Sequence, residues 1–207
     1  MGNMDAYEKD FEHFLLLNTA QFYHRKAAVW IEEDSCPDYM LKAEECLKRE
    51  KERVAHYLHA SSETKLLKEV EKELLATYQK QLVEKENSGC AVLLQDDKAE
   101  DLSRMFRLFA RIQGLQPFAD IFRKHVEKEG MTLVKAAEDA AAQKKEAKKD
   151  VVGATEQIFV RNVIELHDKY LQYVGLYNRE YHEIKYESDV CVYSTLGRLF
   201  FVCNHKP

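Results

Sequence analysis

The chain is short of residues that break helices and bend loops. Its 207 residues include 7 glycines and 3 prolines against 32% charged and 45% hydrophobic residues. That balance favours long helices with one solvated face over a compact, turn-rich sheet. No G-x-S-x-G, P-loop or G-x-G-x-x-G string occurs, so the sequence signals of nucleophile elbows and phosphate cradles are missing. Apolar runs such as Leu15-Leu16-Leu17 end after a few residues, far short of the roughly 20 that span a bilayer. Positive charge is not in excess: the net charge is −5, so no global basic field invites nucleic acid or an anionic membrane. The start, Met1 to Asp10, is polar and acidic, unlike a signal or transit peptide. Gly2 lacks the Ser or Thr at position 6 that myristoylation favours. The five cysteines (Cys36, Cys46, Cys90, Cys191, Cys203) are odd in number and form no C-x-x-C. Reduced thiols in a cytoplasmic or nuclear protein are the expectation.

What the chain does have is helical periodicity. A first helix is expected from about Asp5 to Glu33, with Tyr7, Phe11, Phe14, Tyr23, Ala27 and Trp30 on its apolar face. Ser35 has the features of an N-cap: Pro37 fits the first turn and Asp38 stands three residues on, in capping-box position. Met40, Ala43, Leu47, Val54 and Leu58 give the helix that follows its buried face. Ser61 or Ser62 is expected to cap a third helix carried by Leu66, Leu67, Val70, Leu74, Tyr78 and Leu82, which Asn87-Ser88-Gly89 interrupts. Asp96-Asp97 is a candidate cap for a fourth, through Leu102, Met105, Phe106, Phe109 and Ile112, ended by Gly114. Pro117 opens a fifth with Phe118, Ile121, Phe122, Val126 and Leu133, and Gly130 need not stop it. A sixth places Ile158, Phe159, Val163, Leu166, Tyr170 and Val174 in register.

Residues 135–150 are rich in Ala and Lys without interleaved aromatics, which reads as a solvated helix end and linker near 143–150 rather than a nucleic-acid patch. From Gly175 the character changes: the last 33 residues hold six Phe or Tyr and only eight charged residues. Val190 to Val202 reads as strand or irregular structure, and a lone hairpin is marginal in water.

Candidate chemical constellations are few. His56 and His59 stand three apart, a spacing that can share a metal on a helix, but no further ligand completes a set. Capping histidines at a helix C-terminus explain them. His182-Glu183 begins like H-E-x-x-H, yet position 186 is Tyr. Glu165, His167 and Asp168 cluster on one predicted helix, where neighbours diverge by about 100°. Cys46 carries no sign of activation. No catalytic, metal or cofactor-binding residue is assigned, and no cofactor is expected.

Three strings carry a resemblance: Tyr7 through His59, including Glu33-Asp34-Ser35-Cys36-Pro37-Asp38-Tyr39-Met40 and Arg53-Val54-Ala55-His56-Tyr57-Leu58-His59; Asp96 through Leu108; and Val163 through Tyr170. Together they resemble the N-terminal arm of cullins, in the wording of the plant cullins of Skp–cullin–F-box ligases, over residues 4–174. The resemblance implies an all-α fold of stacked cullin repeats, an α-solenoid stalk. The expected organisation is cullin-repeat helices over 1–113 (part of a second repeat into a third), further repeat helices over 114–174, and a tail over 175–207 that does not follow the family.

It also implies a non-catalytic scaffold role in ubiquitin ligase complexes, in which a rigid arm sets the gap between substrate receptor and charged enzyme. The repeat that contacts the Skp-type adaptor and the globular domain that binds the RING-box protein have no counterpart in these residues. Expected partners are therefore the exchange factor or other ligase subunits, with no nucleic acid and no membrane. The alternative is a truncated cullin-derived product, at most a helical interaction module.

One expectation concerns the tail. Deleting residues 175–207 should leave the helical circular-dichroism signal per molecule almost unchanged, and a large loss of helix would show that the tail acts as a structural cap.

Overall fold

The computed structural model describes residues 4–146 and 152–178, and side chains at 4–142 and 157–170. Among the described residues the structure is all helix, with no strand: α1 (Met4–Ala6), a π-helical segment π1 (Tyr7–Glu12), α2 (His13–Glu33), α3 (Cys36–Tyr57), α4 (Ser62–Glu71), a second π segment π2 (Lys72–Ala76), α5 (Gln79–Val83), α6 (Cys90–Gln95), α7 (Ala99–Arg111), α8 (Gln116–Glu146) and α9 (Val152–Asn178). The chain divides into two units, Met1–Phe118 and Ala119–Pro207. The β-like character read at 190–202 lies outside the described residues; α9 itself runs on past position 175 to Asn178.

The turn between α2 and α3 is written in the sequence as expected. Ser35 has extended backbone, its Oγ accepts from the Asp38 N–H at 3.3 Å, and its hydroxyl donates to the Asp38 carboxylate at 2.6 Å. Such a cap contributes about 1 kcal/mol. Distant residues close the same turn. Lys85 donates to the carbonyls of Ile31 and Asp34, both at 2.6 Å, and so satisfies the frayed end of α2. The Cys36 N–H donates to Ser88 Oγ at 2.9 Å. The Asn87-Ser88-Gly89 break thus leads the chain back onto the start of α3.

In the first unit α4 packs against both α2 and α3, π2 packs on α2, and α7 packs on α3, α6 and π2. Leu66, Val70, Leu74 and Leu82 are fully buried, as are Tyr39, Ala43, Leu102, Met105 and Phe109. Each large aliphatic side chain removed from water contributes about 1.5–3 kcal/mol. In the second unit Phe122 and Tyr170 meet edge to face at 5.4 Å and 89°, and the Tyr170 hydroxyl donates to Glu129 at 2.8 Å. That ties α8 to α9. α8 continues through Gly130 without interruption.

Several local expectations are corrected. Phe11 and Phe14 face solvent, and the buried line of the first helix is Glu12, Thr19, Tyr23, Ala27 and Ile31. From Thr19 onward these follow steps of four, a ridge along the helix rather than a straight stripe, with Glu12 seven residues before Thr19. Ile158 is likewise exposed on α9 while Val163, Leu166 and Tyr170 are buried.

The third helix is not continuous to Leu82. It loosens into π2, where the Thr77 N–H reaches Lys72 O, and restarts at Gln79. The physical reason is close by: the buried Tyr39 hydroxyl needs an acceptor and donates to Leu74 O, inside π2, at 2.7 Å. Neither Ser61 nor Ser62 caps α4 with its side chain, because the Ser62 hydroxyl is buried and donates to Glu12. The N-cap position of α7 is Lys98 rather than Asp96 or Asp97. Asp97 turns the chain with φ of 52° and the helix begins at Ala99. At the far end of α7, Gln113 takes the left-handed conformation, φ 55°, beside Gly114.

Gly89 sits where a Cβ would lie 2.6 Å from the carbonyls of both Val83 and Lys85. Its φ of −76° is ordinary, so space and not backbone freedom requires glycine. Gly89→Ala is expected to cost about 1–3 kcal/mol, the usual penalty for overpacking against a backbone that cannot yield. Urea denaturation would measure it, and an unchanged midpoint would show that the loop gives way.

Candidate interaction surface

The buried face of the first helix carries a carboxylate. Glu12 ends π1 and is held on two sides: Lys65 Nζ at 2.7 Å and the Ser62 hydroxyl at 2.6 Å. Tyr7, one π turn earlier, hydrogen-bonds Ser62 Oγ at 2.9 Å and accepts the His59 N–H at 3.2 Å. The hydrogen bond from Lys65, then that from Ser62, holds the Glu12 carboxyl below its ordinary value of 4.5 against the opposing effect of burial. A second polar bridge lies farther along. The Tyr23 hydroxyl donates to Glu50 at 2.6 Å, Arg53 pairs with the other Glu50 oxygen at 2.5 Å, and Arg53 reaches Thr19 at 3.4 Å. Burial, then the Glu50 contact, pushes the Tyr23 phenol far above its usual range. These bridges clamp the inner face of the first helix to α3 and to the start of α4.

With its inner face clamped, the helix turns the other side outward. Phe11, Phe14, Leu17, Phe22 and Val29 are each about half exposed. Large apolar side chains gathered on one helical face mark an interaction surface more often than isolated ones do. Lys26 lies over the Phe22 ring at 4.6 Å and flanks the patch with positive charge. Periodicity alone placed two of these aromatics inside. The available signal was Glu12, one heptad before Thr19 and in phase with the run of fours to Ile31.

The residues weighed for chemistry are placed as follows. His56 stacks by Tyr57 on the exposed end of α3, while His59 Nδ1 contacts Ser61 Oγ at 2.8 Å in the next turn. Among the described residues no group of three or more His, Cys, Asp or Glu is arranged for a metal. His167 Nδ1 lies 3.1 Å from Asp168, side by side on α9, and Glu165 is exposed. His182 and Glu183 lie outside the described residues. Cys36, Cys46 and Cys90 are buried, and burial pushes the Cys36 and Cys90 thiols up to about 12. Thiols held so far from ionisation are packing residues rather than nucleophiles. Among the described residues no helix is long and apolar enough to cross a membrane.

Comparison with known proteins agrees with this architecture. The cullin alpha solenoid domain matches residues 1–187. The chain belongs to the cullin family. It is 66% identical to Cullin-1 of Oryza sativa subsp. japonica over 175 residues, which is 84% of this chain and 24% of that protein. A cullin-like protein of Arabidopsis thaliana is 56% identical over the same length, 23% of its own. Cullin-2 of Arabidopsis thaliana is 50% identical, again over 24% of its length. The chain therefore spans about a quarter of the cullins it matches, and its stacked helices are those of the solenoid domain.

The Glu12 clamp has a pH signature. Because the folded-state carboxyl is depressed, its stabilisation is complete above the ordinary value of 4.5 and is lost as pH falls through the folded value. The stability difference between the native chain and Glu12→Gln should be constant from neutral pH down to about pH 5 and then shrink on acidification. Denaturant titrations at a series of pH values would check this, and a difference that widens in acid would contradict it.

Proposed function

We propose that this cullin-family chain acts as a non-catalytic helical scaffold in ubiquitin ligase assemblies. Its work is mechanical: packed helices hold bound proteins at fixed separation, so that transfer between them proceeds at high effective concentration. The observation that carries the reading is the solenoid-domain match along residues 1–187, supported by a helical unit whose polar side chains are spent on internal clamps. Glu44, for example, pairs with both Arg104 and Arg107, at 3.2 and 2.9 Å, and fastens α3 to α7. Protein partners are the expected ligands, namely the exchange factor that grips cullin arms or other ligase subunits, in the cytoplasm or nucleus. The exposed aromatic face favours a second reading, a helical interaction module without a ligase role.

Affinity purification of the tagged chain from plant cells, followed by mass spectrometry, separates the two. Enrichment of ligase subunits or the exchange factor over a control is the expected result. Stable partners drawn only from outside the ubiquitin system would leave the interaction-module reading in place and overturn the scaffold one.

A further inference from the structure

We draw no further inference here: the strongest candidate, the exposed apolar face of the first helix formed by Phe11, Phe14, Leu17, Phe22 and Val29, carries nothing because nothing in the structure shows what covers it.

Discussion

Two residues separate the end of α2 from the start of α3, and the first unit depends on how that short turn is closed. A helix end leaves carbonyls without partners, and a helix start leaves N–H groups without partners. Here both sets lie within a few ångströms of each other. Ser35 closes the start locally, while Lys85 and Ser88, some fifty residues later, close the end of α2 and the first N–H of α3. The loop that supplies them passes through Gly89, where backbone carbonyls leave no room for a Cβ. α4 packs on both helices of the α2–α3 hairpin, and α7 packs on α3.

Charge in this protein is architectural. Glu12, Glu50 and Glu44 each sit where helices meet, and each is held by a basic or hydroxyl group from a different element or turn. A buried carboxylate left alone would be strongly destabilising; Glu12 and Glu50 are each answered by a cation and a hydroxyl. The buried thiols follow the same logic from the apolar side: they are small packing groups kept neutral by desolvation.

Much of the fold was legible along the chain. Ser35, Pro37 and Asp38 announced a helix start that the structure reproduces, and the apolar faces of α3, α4 and α7 emerged from spacing alone because each packs one steady stripe against its neighbours. The first helix was harder to read. Its inner line drifts in steps of four from Thr19 to Ile31 and takes in Glu12, while Phe11 and Phe14 stand outside. Hydrophobicity ranks a phenylalanine above a glutamate for burial. Only the partners Ser62 and Lys65, brought over from α4, reverse that order. The break at π2 was hidden for a similar reason, since its cause is the Tyr39 hydroxyl on another helix.

The sequence by itself determined the class of the molecule: all helix, with the Ser35 cap and the break at Asn87-Ser88-Gly89 where they were expected, and long strings shared with cullins that the family match bears out. These are local properties, set by propensity, capping and periodicity within a few turns of chain. Tertiary structure alone decided which side of the first helix faces inward and therefore which aromatics stay exposed. That choice depends on hydrogen bonds closed between residues about fifty positions apart, such as Glu12 with Ser62 and Lys65. No window of sequence a few turns wide contains both ends of such a contact.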